Sequence, residues 1–89
     1  MTAKVEIYTW STCPFCIRAM ALLDRKQVEY TEYCIDGDRE ARAKMTQRAN
    51  GKSSLPQIFI NDRHVGGCDD LHELEYQGML DPLLKDTAA

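Results

Sequence analysis

Cys13-Pro14-Phe15-Cys16 holds two thiols with two residues between them. The pair follows a β-rich run, Val5-Glu6-Ile7-Tyr8-Thr9, and precedes a helical pattern over residues 17–26. Cys-x-x-Cys at a strand-to-helix junction points to thiol–disulfide exchange. A helix N-terminus carries roughly half a positive charge and has unpaired N–H groups. A sulfur placed there is favoured as thiolate, the nucleophile in exchange. Pro14 suits the first helical position, because its missing N–H would have had no intrahelical partner. Cys13 is therefore predicted to be the N-cap and the exposed attacker. Cys16 should lie one turn inside, close enough to close a disulfide. Cys-x-x-Cys also builds zinc sites, which need a second pair of ligands. Cys34 and Cys68 are isolated and His64 and His72 form no tight pair, so no metal is expected.

The elements that must position these thiols belong to a chain of 89 residues, read as one domain over residues 1–89 with a small core. A composition of 44% hydrophobic and 28% charged residues is that of a globular protein. The net charge of −3 argues against a general nucleic-acid binder. No apolar run approaches a membrane span. Met1-Thr2-Ala3-Lys4 leads into a strand with no visible export signal. The four cysteines then read as a catalytic pair plus two reduced thiols in a reducing, cytoplasmic setting.

Residues 5–9 alternate as a half-buried strand does. In the helix that follows, Cys16, Ala19, Met20 and Leu23 share a face at helical spacing. Residues 28–35 read as a second strand, and Asp36-Gly37-Asp38 as a turn that caps a helix over residues 39–49. Ala41, Met45 and Ala49 form that helix's stripe, and Asn50-Gly51 supplies a left-handed stop. Residues 57–60 and 63–65 flank Asn61-Asp62, a two-residue hairpin turn of residues that tolerate positive φ. Gly66-Gly67 ends the hairpin. A helix from about residue 68 to 77 and a short one around Leu80, Leu83 and Leu84 complete the chain. The order β-α-β-α-β-β-α implies an α/β fold. A right-handed βαβ crossover joins two parallel strands, and the hairpin adds antiparallel ones. The result is a four-stranded mixed sheet with helices on both faces.

Three motifs in this order and spacing give the chain a resemblance to the dithiol glutaredoxins of bacterial type. They are Cys13-Pro14-Phe15-Cys16, Ser54-Leu55-Pro56-Gln57-Ile58-Phe59-Ile60 and Gly66-Gly67-Cys68-Asp69-Asp70-Leu71. The resemblance spans residues 4–84 and implies the thioredoxin fold. It implies glutathione as co-substrate, no tightly bound cofactor, and a monomer acting on disulfide-containing or glutathionylated proteins. It also implies that glutathione is met by Thr12, Phe15, Lys52, Leu55, Pro56, Gly67, Cys68 and Asp69, and that the Leu55–Pro56 bond is cis. A cis bond there turns the backbone of Leu55 toward an extended thiol peptide. Free N–H groups at the helix start near Cys68 suit a carboxylate. Asp69 suits an ammonium, and glutathione's γ-glutamyl end carries both charges. Asp69 and Asp70 also read as helix caps. Lys52 is a candidate partner for the glycyl carboxylate. Two positions depart from the family. Trp10 stands where a Lys is common, three residues before the first cysteine, and Phe15 replaces a Tyr. Trp10 is left to stack on ligand or to shield Cys13. Cys34 reads as a structural thiol at a strand end, Cys68 as a residue of the binding motif that acts through its backbone, and His64 and His72 as surface residues.

The implied activity is attack by Cys13 on a disulfide, with Cys16 resolving the mixed disulfide when the substrate is a protein disulfide. Two other readings use the same thiols. A thioredoxin-like reductase recharged by a flavoprotein would not need the Gly-Gly-Cys-Asp-Asp site. A dimeric iron–sulfur carrier is disfavoured by Pro14 and the resolving Cys16.

Overall fold

A computed structural model describes residues 3–85 of the chain. Met1 and Thr2, part of the start read above as free of an export signal, lie outside the described residues. β1 (Val5–Thr9) is flanked on one side by β2 (Tyr30–Cys34) in parallel and on the other by β3 (Gln57–Ile60) antiparallel. β4 (Arg63–Gly66) pairs antiparallel with β3, so the strand order is β2-β1-β3-β4. The crossover α1 (Pro14–Arg25) joins the parallel pair, and α2 (Arg39–Arg48) links β2 to β3. α3 (Cys68–Tyr76) and α4 (Leu80–Lys85) close the chain. This is the mixed four-stranded sheet predicted, with the thioredoxin fold's order of elements.

Strand alternation divides the sheet into two unlike faces. Val5, Ile7, Ile58 and Ile60 face α1, α3 and α4, and pack with Ala19, Leu22, Leu23, Leu71, Leu80 and Leu84 into one buried cluster. Leu22, left out of the stripe expected for α1, is buried, while Met20 lies at the margin. The other face, under α2, carries Glu6, Tyr8 and Phe59. Its core is partly ionic. Arg48 donates to both carboxylate oxygens of Glu6, at 2.7 and 3.1 Å, and to the Tyr8 hydroxyl at 3.2 Å. Its guanidinium lies 4.0 Å from the Phe59 ring centroid. Tyr33 donates its hydroxyl to Glu6 at 2.8 Å. Glu6 is buried, yet the Arg48 bond outweighs desolvation and holds its carboxyl below the ordinary 4.5.

The local signals read in the sequence act where expected. Asp38 caps α2 by accepting the Ala41 N–H at 2.9 Å. Asn50 and Gly51 take positive φ at the end of α2, and Asn61 and Asp62 take φ of 52° and 65° in the hairpin turn. β2 opens at Tyr30, not at residue 28. Gln27 adopts a left-handed φ of 58°, and the Val28 N–H still bonds back to the Leu23 carbonyl. The exit from α1 therefore uses up the residues that look like strand. β4 reaches Gly66, with an irregularity opposite Ile58 and Phe59 that leaves Val65 out of register.

Replacing Arg48 by Met would leave the Glu6 carboxylate buried with weaker partners. Unfolding free energy should fall by roughly 2–3 kcal/mol, at or below the lower limit for a fully buried pair, because Arg48 is itself partly exposed. The sign with pH follows from Glu6's lowered pKa. Its contribution is present above 4.5 and is lost as pH falls through the folded value. Urea unfolding from pH 7 to pH 3 should show wild type losing stability below about 4.5 and Glu6→Gln losing less. Parallel pH curves for the two proteins would contradict the assignment.

Candidate active site

β1 ends at Thr9, and the chain turns through Trp10-Ser11-Thr12 into α1. The turn is held at its outer side. Asp36 accepts the Ser11 N–H at 2.8 Å and the Ser11 hydroxyl, and its carboxyl also takes the Cys34 thiol. Cys34 is thus exposed at the end of β2, tied to Asp36, and not a packed structural thiol.

Cys13 is the N-cap of α1 and Pro14 its first residue, as predicted. The Cys13 sulfur accepts the Cys16 N–H at 3.3 Å, and its thiol lies 3.7 Å from the Leu55 carbonyl oxygen, to which it donates. Cys16 is fully buried beside it. Burial, and then the bond to the Cys13 sulfur, push the Cys16 thiol up to about 12. The two thiols are therefore close in space and unlike in character. One is open at a helix end, and the other is buried and held protonated.

The Leu55–Pro56 peptide is cis. Three successive carbonyls lead into it, and each has a donor. The Ser53 oxygen receives Arg42 Nε at 3.2 Å and Nη2 at 2.9 Å. The Ser54 oxygen receives Gln57 Nε2 at 2.9 Å, and the Leu55 oxygen receives Cys13. Arg42 also lies 5.6 Å from the Trp10 ring centroid. Trp10 stands where family members commonly carry a cation, and here an arginine from α2 reaches that ring.

A groove runs from Phe15 past this segment to the start of α3. Lys52, Ser54, Leu55, Pro56, Gln57, Gly67, Cys68, Asp69 and Asp70 complete its walls. Gly67 caps α3 and lies against the cis loop, with a Cβ position there 3.4 Å from the Pro56 carbonyl oxygen. At Gly66, φ is +120° and a Cβ would collide with the Asp70 carboxylate. That carboxylate reaches back to accept the Gly67 N–H at 2.9 Å. Capping therefore belongs to Asp70 and not to Asp69. Asp69 is exposed and lines the groove.

Of the residues predicted to meet glutathione, Phe15, Lys52, Leu55, Pro56, Gly67, Cys68 and Asp69 come together on this groove. Thr12 is exposed beside Cys13 and is not among the groove's walls. Cys68 is buried. Its sulfur is 3.4 Å from His72 Nδ1, and burial, then the Asp69 charge, push its thiol up. Sequence reasoning missed Ser54, Gln57 and Asp70 as walls. It also missed His64, which is half-buried behind Gln57 with its Nε2 2.7 Å from Gln57 Oε1. The one signal that marked Gln57 is its place as the polar head of an otherwise apolar strand, Gln57-Ile58-Phe59-Ile60.

This geometry has close counterparts. The glutaredoxin family model matches residues 5–65. A probable glutaredoxin of Synechocystis sp. is 70% identical over 84 residues, covering 94% of this chain and 96% of that protein. Glutaredoxin 3 of Escherichia coli is 54% identical over 83 residues, 93% of this chain and 99% of that protein. The crystal structure of a buckwheat glutaredoxin–glutathione complex superposes with a TM-score of 0.84 at 27% identity, over 92% of this chain and 76% of that one. With a Cys-x-x-Cys pair at a helix N-terminus, a cis-proline beside it and relatives matched along nearly its whole length, the chain belongs to the glutaredoxin family.

Proposed function

We propose that this glutaredoxin reduces glutathione mixed disulfides and protein disulfides, with Cys13 as nucleophile, Cys16 as resolving thiol and glutathione as the electron donor. The observation that carries the reading is the position of Cys13. It caps α1 and touches the carbonyl of Leu55, itself a wall of the groove that ends at the N-terminus of α3.

In the monothiol route the Cys13 thiolate attacks the glutathionyl sulfur, and the protein thiolate leaves and takes a proton. A second glutathione thiolate attacks the glutathionyl sulfur bound to Cys13, releasing glutathione disulfide and regenerating Cys13. In the dithiol route Cys13 attacks a protein disulfide and the Cys16 sulfur then attacks Cys13. The substrate leaves as dithiol and the Cys13–Cys16 bond remains for two glutathiones to reduce. Cys16, held protonated, does not compete as first nucleophile. Once Cys13 is in a mixed disulfide, its free sulfur no longer helps hold that proton, which favours resolution.

Glutathione fits the groove by charge. The α3 N-terminus offers N–H groups to the γ-glutamyl carboxylate, and Asp69 offers a carboxylate to the neighbouring ammonium. Lys52, also on the groove, suits the glycyl carboxylate. Phe15 supplies an apolar wall. A reducing, cytoplasmic setting, a single domain and a monomeric state belong to the same proposal. Its supports are two thiols outside the pair and a site complete within one chain. Among the described residues no helix is long and apolar enough to cross a membrane.

Assay of a glutathionylated peptide with glutathione as sole donor tests the thiol roles. Cys13→Ser should lose both reactions, and Cys16→Ser should keep deglutathionylation while losing most protein-disulfide reduction. In Cys13→Ser, alkylation of Cys16 should still be climbing above about pH 9, since burial, the larger cause of its raised pKa, remains. A dead Cys16 variant beside an active Cys13 variant, or a Cys16 rate that levels off below about pH 9, would reverse the assignment.

The two aspartates separate binding from capping. Asp69→Ala should raise KM for glutathione substrates roughly fivefold to thirtyfold, the loss of a charge-assisted bond of about 1–2 kcal/mol, and leave thermal melting unchanged. Asp70→Ala should lower unfolding free energy by about 1 kcal/mol. An Asp69 variant that melts lower yet keeps wild-type kinetics toward glutathione substrates defeats the binding role.

A further inference from the structure

We infer that His64, on β4 and outside the groove, is a positioning residue for glutathione substrates: through Gln57 it fixes the segment 53–55 that walls the groove. The inference rests on the glutathione reading of that groove.

The deduction starts from the Ser54 carbonyl, which can only accept. The Gln57 group 2.9 Å from it must therefore be the amide nitrogen, which also lies 3.2 Å from Ser54 Oγ. Gln57's oxygen is then turned toward His64 Nε2, at 2.7 Å. An amide oxygen also only accepts, so Nε2 carries the ring proton. In the neutral ring Nδ1 is left as acceptor, and the Asn50 amide nitrogen 3.3 Å away donates to it. One carbonyl thus dictates two amide orientations and one tautomer. The surroundings agree with a neutral ring. Burial, then the Lys52 charge, lower the His64 pKa, and Asp70 opposes them.

The segment needs such a hold. Ser53 and Ser54 are exposed and small, so packing does not fix them. Their carbonyls are fixed from both sides, by Arg42 from α2 and by Gln57 from β3. Gln57 is 1% exposed, so without His64 its oxygen would be buried with no donor in this network. The amide would then be free to turn over and aim oxygen at oxygen across to Ser54. The wall at Ser54 would loosen, while the Cys13 cap on α1 and the burial of Cys16 lie outside this network.

The test compares wild type, His64→Leu and His64→Gln on two substrates. One is a glutathionylated peptide. The other is the same peptide carrying a cysteamine disulfide, reduced with dithiothreitol. Gln can place an amide N–H near where Nε2–H stood. His64→Leu should raise KM for the glutathionylated peptide roughly threefold to tenfold, the loss of one buried neutral hydrogen bond. Its kcat and its kinetics on the cysteamine peptide should stay near wild type, and His64→Gln should recover most of the KM. In wild type, nitrogen-15 NMR at pH 7.5 should find the Nε2–H tautomer, a readout that survives if the Leu variant does not fold. An Nδ1–H tautomer, or an unchanged KM in a folded His64→Leu protein, overturns the role of His64. If wild type itself shows no KM preference for the glutathionylated peptide, the glutathione reading of the groove fails first.

Discussion

The register of β1 against β3 is the constraint on which the site depends. Val5 pairs with Ile60, Ile7 with Ile58, and Tyr8 with Gln57. Because the strands are antiparallel, the exit of β1 and the entry of β3 lie at the same end of the sheet. The chain leaving β1 becomes the cysteine loop, and the chain entering β3 arrives through Leu55 and Pro56. A slip of one residue would put Phe59 and Gln57 where Ile58 and Ile60 pack, moving the strand's apolar set off the core. The apolar face of the sheet therefore holds the register, and the register holds Cys13 against the Leu55 carbonyl.

The opposite face supports the site by different means. α2 is nearly all polar, and among its described residues Met45 is buried within the helix and Ala49 at its cap. What anchors it is Arg48, stacked on Phe59 and bonded to Glu6. From the same helix Arg42 reaches the Ser53 carbonyl and the Trp10 ring. An ion pair under a helix adds direction that an apolar stripe lacks, since Arg48 must lie over Glu6 for the bond to form. The orientation of α2 and the delivery of Arg42 to the cysteine loop are thus one geometric fact. Such an arrangement also carries risk, because a buried charge without its partner is strongly destabilising.

Much of this was legible in the sequence because it is local. Pro14 after Cys13, Asp38 before α2, and Asn61-Asp62 between two short strands each act within a few residues. The groove could be anticipated from three motifs, yet its support could not. Arg42 meets Trp10, and His64 meets Gln57, across the folded sheet, and neither pairing leaves a mark in spacing. His64 looked like a surface residue because β4 is short and the residues before it, Asn61-Asp62-Arg63, are polar. The irregularity beside Phe59 is part of the turn of β4 that brings the ring to Gln57. The two aspartates were ambiguous for a narrower reason. With Gly67 as N-cap, Asp70 falls at the third helical position and can reach back, whereas Asp69 cannot. That choice turns on one residue of helix boundary, which sequence patterns resolve poorly.

The central claim is that the register brings one thiol to the mouth of a glutathione-shaped groove. The most direct measurement is a crystal structure of Cys16→Ser trapped as its mixed disulfide with glutathione. The account predicts a Cys13–glutathione bond and the peptide running along Leu55. It places the γ-glutamyl carboxylate on the N–H groups at the start of α3, with its ammonium at Asp69. A glutathione attached to Cys13 but lying outside the groove, or attached to Cys34 or Cys68 with Cys13 free, would contradict it.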